Sequence, residues 1–182
     1  MEISVLPLDL ARWDLGPGGD LFAVAICTDV RPLAGAAGLL DWRLNGQLSS
    51  CLREQRFLGT SGEKLLLPTG RVPWSAVLAV GIGDSAALDD DGVRSAVSLI
   101  LTTTRSLGQR RLAIAPPGRE LRRRPGELDR VVALFLSELL AQGNHLSALT
   151  VVDTAAALKM IARLLGIPST GRSPSQPAVK RG

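Results

Sequence analysis

The sequence predicts a three-layer α/β domain, a mixed and mostly parallel sheet between helices. Three observations predict it. Two continuous apolar runs of strand length, LFAVAIC at 21–27 and AVLAVGI at 76–82, read as strands buried on both faces. These runs alternate with segments of helical period, and such alternation marks a sheet built with crossover helices. The chain of 182 residues is 46% hydrophobic and 21% charged, too apolar for disorder and of a length for one domain.

Each element follows in order. Residues 2–8, EISVLPL, read as a first strand, and LARWDLGPGGD at 10–20 as a turn-rich link to the strand at 21–27. Residues 36–45 look helical, with Leu40 and Leu44 on one face; Asn45-Gly46 interrupts, and Leu48, Cys51 and Leu52 restore helical spacing to about Arg56. Gly59 and Gly62 close that stretch. KLLLP at 64–68 is a short strand ended by Pro68, and the strand at 76–82 follows. Asp89, Asp90 and Asp91 stand where a helix start wants a cap and negative charge. Val93, Val97, Ile100, Leu101 and Leu107 continue at helical spacing. RLAIAPP at 111–117 is a strand stopped by two prolines, and GRELRRRPGE is a basic loop. Residues 127–142 form the clearest helix, with Leu128, Val131, Val132, Phe135 and Leu139 on one face. LTVVD at 149–153 is the last strand. Thr154 caps a last helix with Leu158, Ile161, Ala162 and Leu165 as its buried stripe, ended by Gly166 and Pro168. From Ser169 on, the composition is that of a disordered tail. The expected division is therefore a domain at 1–166 and a basic tail at 167–182, with no internal repeat.

Composition excludes several classes. No apolar run reaches the roughly 18 residues of a membrane span, and MEISVLPLDL lacks the pattern of a signal peptide. A cytoplasmic location is expected. Cys27 and Cys51 lie on apolar faces and read as small core residues of a reducing compartment. The net charge is +4, and Arg172, Lys180 and Arg181 place most of it in the tail. A second basic cluster at 105–124 holds seven Arg against Glu120.

The stretch from Asp41 to Pro117 resembles the N-terminal domain of the leucyl aminopeptidase family. LDWRLNGQLSSCLREQRFLGTSGEKLLLP is similar to that family's run of short helix, glycine break, second helix, Gly-x-x-Gly-Glu and apolar strand. AVLAVGIGD resembles the strand that ends there in Gly-x-Gly, and the following helix and RLAIAPP fall in the same order. The similarity covers roughly residues 20–165. It implies a macro-domain-like fold. It also implies that metals, their ligands and the catalytic arginine belong to a larger C-terminal domain carrying an Asn-Thr-Asp-x-x-Gly-Arg-Leu motif, which this sequence does not contain. The resemblance therefore implies no peptidase activity for this chain.

Few residues carry candidate chemistry. One His and two distant Cys do not assemble a usual zinc site, and the aspartates at 89–91 read as a helix cap, so no metal and no cofactor is expected. His145 in QGNHLS reads as a solvated turn residue. Gly81-Ile82-Gly83-Asp84 follows a buried strand and precedes a helix, a place where backbone N–H groups can hold an anion; it also reads as a plain tight turn. The third glycine of a dinucleotide fingerprint is replaced by Ala86. Macro domains bind ADP-ribose with an acidic residue after a buried strand and glycine-rich phosphate loops. Asp29 could stand in for that acid, although Val30-Arg31-Pro32-Leu33 follows instead of a glycine cradle. The ligand-binding candidates are thus Asp29, Gly81, Gly83 and Asp84.

Arg110, Arg111, Arg119, Arg122, Arg123 and Arg124 flank one strand end, and with the tail they form a possible anion or nucleic-acid surface. No aromatic is interleaved with them, so binding there would be non-specific and salt-sensitive. Among the aromatics Phe22 and Phe135 read as core, the tryptophans as half-buried, and Trp74 as the anchor for any partner surface. The sequence reading is a non-catalytic interaction or regulatory module with an unidentified protein partner. A nucleic-acid accessory role, or a nucleotide-type ligand at the strand ends, is the alternative. No membrane association is expected, and the state should be a monomer or weak dimer.

Overall fold

The computed structural model describes residues 1–121 and 126–167. Twelve elements follow one another: β1 (Glu2–Pro7), α1 (Leu10–Asp14), β2 (Gly19–Cys27), α2 (Gly35–Arg43), α3 (Gln47–Arg53), β3 (Lys64–Pro68), β4 (Trp74–Gly83), α4 (Asp90–Ser106), β5 (Arg111–Ile114), α5 (Glu127–Gln142), β6 (Ala148–Asp153) and α6 (Ala155–Leu165). The six strands form one sheet in the order β1-β6-β5-β2-β4-β3. Every pairing is parallel except that of β3 with β4, which is antiparallel. The three-layer α/β architecture is the expected one.

The strands alternate between two cores because successive side chains leave opposite faces of a sheet. From β2, Leu21, Ala23, Ala25 and Cys27 join the long helices α4, α5 and α6. Phe22, Val24 and Ile26 face the short helices α1, α2 and α3 instead. On that second side Trp13, Phe22 and Trp74 meet edge to face, at centroid distances of 5.0, 6.1 and 4.7 Å. The Trp13 indole N–H donates to the Pro7 carbonyl at 2.8 Å, so its one polar atom is satisfied.

Two expectations change here. The link at 10–20 contains helix α1, capped by the Asp9 carboxylate on the N–H groups of Ala11 and Arg12. Trp74 is not a surface anchor: it is 2% exposed at the centre of the aromatic cluster, whereas Trp42 is 68% exposed. Trp74 opens β4, and its register opposite Gly19 turns the ring inward against Phe22.

The topology places the site. The chain leaves β2 for β4 on one side and later returns to β5 on the other. The carboxyl ends of β2 and β5 therefore mark the switch point where open α/β sheets hold ligands. Because β3 runs antiparallel, the turn before it reaches the same crest as the carboxyl ends of the parallel strands.

Candidate functional site

The crest is built from the segment after β2, the turn before β3, the end of β4, and the segments after β5 and β6. Asp29 lies on it, but its carboxylate is engaged. It accepts the Ser85 N–H at 2.9 Å and the Ser85 hydroxyl at 2.5 Å. Those bonds, the hydroxyl first, hold its pKa below the ordinary value. Asp29 thus ties the end of β2 to the turn after β4. Asp84 accepts the Ala86 N–H at 2.8 Å and closes that turn.

The glycines play different parts. Gly81 does not sit in an anion-binding turn; it belongs to β4, where a Cβ would lie 2.0 Å from the Thr60 carbonyl oxygen. Its role is close backbone approach. Gly83 does turn the chain, with φ of +77°. Its N–H donates to the Gly59 carbonyl and its carbonyl accepts from Thr28 N–H, both at 2.9 Å.

Three features of the crest escaped sequence reasoning. The Glu63 carboxylate is received by the turn before β3, accepting from the N–H groups of Leu58, Gly59 and Thr60. Burial pushes its pKa up, but those bonds and the Thr60 hydroxyl outweigh it and hold the group below its ordinary value. The Thr60-to-Glu63 spacing is that of a capping box without a helix, which is the one signal the sequence offered. Arg31 donates to the carbonyls of Cys27 at 2.8 Å and Val30 at 2.7 Å. Arg119 donates through Nε to both oxygens of Asp153, at 2.8 and 3.0 Å, and the Asp153 side chain is fully buried. Asp153 also accepts the Thr154 N–H at 2.6 Å.

Burial first, and then the carboxylates of Glu120, Asp29 and Asp84, push the Cys27 thiol up to about 12 against the opposing charge of Arg31. A thiol held neutral in this way is inert as a nucleophile.

The arginine cluster does not flank one strand end. Arg110 and Arg111 stand at the start of β5, and Arg119 lies beyond its finish on the crest. A four-residue strand separates the two groups by roughly 10 Å of rise. The backbone N–H groups of Arg110 and Arg111 both donate to Asp20 at 2.9 Å, and the Arg111 guanidinium donates to the Pro17 carbonyl at 2.8 Å. Arg122, Arg123 and Arg124, like the tail, lie outside the described residues. His145 is not a solvated turn residue: both ring nitrogens are shielded from solvent. Burial, then the nearby Arg105 guanidinium, lowers its pKa. The aspartates at 89–91 do cap a helix, Asp89 accepting the Gly92 N–H at 2.8 Å. Asp90 pairs with Arg130 and Asp91 with Arg94. Among the described residues no three His, Cys, Asp or Glu side chains are grouped to hold a metal ion.

A six-stranded mixed sheet with this order and crest is of the macrodomain type. A Trypanosoma brucei macrodomain in complex with ADP-ribose superposes with a TM-score of 0.68 at 21% identity, over 91% of this chain and 69% of that one. A tomato leucine aminopeptidase mutant gives 0.55 at 18% identity, over 84% of this chain and 32% of that one. At such identities these likenesses show the fold alone. The family model of the cytosol aminopeptidase family, N-terminal domain, matches residues 24–145, and the chain belongs to that family. A probable cytosol aminopeptidase of Alkaliphilus metalliredigens is 28% identical over 100 residues, which are 54% of this chain and 20% of that protein. One from Geotalea uraniireducens is 36% identical over 75 residues, 41% of this chain and 15% of that protein. The chain thus spans a fifth or less of these curated relatives. Among the described residues no helix is long and apolar enough to cross a membrane.

Proposed function

We propose that this chain is a non-catalytic interaction or regulatory module, without peptidase activity of its own, acting in the cytoplasm with residues 1–166 as the module. One observation carries the reading. The crest, where a sheet of this type would hold a ligand, is satisfied by the chain's own groups. Glu63 takes the donors of the turn before β3, Asp29 takes those of Ser85, Arg31 turns to the Cys27 and Val30 carbonyls, and Arg119 turns its Nε to Asp153. The carboxylates of Asp29, Asp84 and Glu120 add negative charge around Cys27 on this crest, beside the Arg31 guanidinium. The ADP-ribose held by the Trypanosoma brucei macrodomain therefore does not carry over readily to this crest. The family match is to the N-terminal domain, which supports the reading without peptidase chemistry. The division of the arginines between two ends of the sheet counts against a continuous phosphate track, and so against nucleic acid as the main partner.

Two assays test this together. Purified chain supplied with zinc or manganese should not hydrolyse leucyl chromogenic substrates. Affinity capture from the native lysate at near-physiological salt should return one stoichiometric protein. Hydrolysis that survives repurification would refute the non-catalytic reading, and recovery of nuclease-sensitive material alone would replace the protein partner with nucleic acid.

A further inference from the structure

Four donors converge on one atom in the turn before β3. Glu63 Oε2 accepts from Leu58 N and Gly59 N at 2.9 Å, and from Thr60 N and Thr60 Oγ1 at 3.1 Å. Three successive backbone N–H groups aimed at one centre form a nest, and a nest selects an anion. Backbone contacts besides the Glu63 side chain hold its frame. Gly59, at φ of +84°, has no room for a Cβ, which would lie 2.9 Å from the Cys27 carbonyl oxygen. Gly83 N–H holds the Gly59 carbonyl at 2.9 Å, and Gly81 N–H holds the Glu63 carbonyl at 2.8 Å. Leu58 and Thr60 are exposed, so solvent reaches the rim.

We propose that residues 58–60 form an oxyanion-binding nest that the chain keeps filled with its own Glu63, and that a tetrahedral oxyanion of the phosphate or sulfate class occupies it once that carboxylate is removed. The donors are backbone groups spaced for an oxygen at ordinary hydrogen-bond distance, and they do not distinguish a carboxylate oxygen from a phosphate oxygen. What distinguishes the two is connection. A carboxylate tethered three residues away acts at a high effective concentration, and a free anion must compete with it. This inference goes beyond the module reading and stands whether or not a protein partner is found.

The test is an amide-resolved NMR titration of the whole chain with inorganic phosphate, at pH 7 and constant ionic strength, comparing wild type with Glu63→Ala. In the variant the amides of Leu58, Gly59 and Thr60 should shift saturably, with half-saturation at least about tenfold below that of wild type. The amides of Arg105 and Arg110, which report phosphate on the opposite edge, should respond alike in both proteins. A folded Glu63→Ala with no gain at 58–60 overturns the proposal. Should Glu63→Ala lose the β2 and β4 resonances, phosphate should restore them saturably where chloride at equal ionic strength does not, and a variant left unfolded by both overturns the proposal.

Discussion

Single side chains bond the segments of the crest to one another. Arg119 and Asp153 form an ion pair in which the carboxylate is fully buried. Removing one partner strands the other charge, so Arg119→Ala should cost about 3 kcal/mol in urea unfolding. Gly81 has no space for even a methyl group against the Thr60 backbone, and Gly81→Ala should cost about 3 kcal/mol, the upper end of ordinary overpacking. His145 and Glu63 are among the groups that set the acid limb of stability. The His145 pKa is lowered on folding, so its contribution is complete above the ordinary 6.5 and falls away as pH drops below it. The Glu63 pKa is lowered too, so its contribution is complete above the ordinary 4.5 and is lost as pH falls through the folded value. Urea midpoints measured against pH should therefore decline in two stages on acidification. His145→Gln should flatten the first stage and Glu63→Gln the second.

The elements divide by length. The helices α4, α5 and α6 run 17, 16 and 11 residues. The strands β2 and β4 are continuous apolar runs, and both kinds of pattern were legible because each repeats its own period over several turns or pleats. Helix α1 has five residues and buries only Trp13. No periodicity can show in so short a piece, and its existence depends on Trp13 meeting Phe22 and Trp74 from distant parts of the chain. Trp13→Ala should remove that anchor and cost about 4 kcal/mol, with loss of the near-ultraviolet circular dichroism of the tryptophan cluster. The same limit explains the site. The Asp89 cap was legible because donor and acceptor are three residues apart. The partners of Asp29 and Asp153 lie 56 and 34 residues away, and only the folded sheet brings them together. Trp74 misled for the same reason: its neighbours in sequence are a turn, whereas its neighbours in space are aromatic rings.

At the scale of the whole molecule, the sheet order sets Arg110 and Arg111 at one end of β5 and Arg119 at the other, on the crest with Asp29, Asp84 and Glu63. Light scattering should find a monomer or a weak dimer, since among the described residues the large exposed apolar side chains, from Leu15 and Trp42 to Leu140 and Leu164, are scattered over several elements. If the crest is filled by the chain itself, a calorimetric titration of the whole chain with ADP-ribose at near-physiological salt should give no saturable heat up to millimolar ligand. A saturable isotherm with a micromolar Kd, abolished by Asp29→Ala, would contradict it.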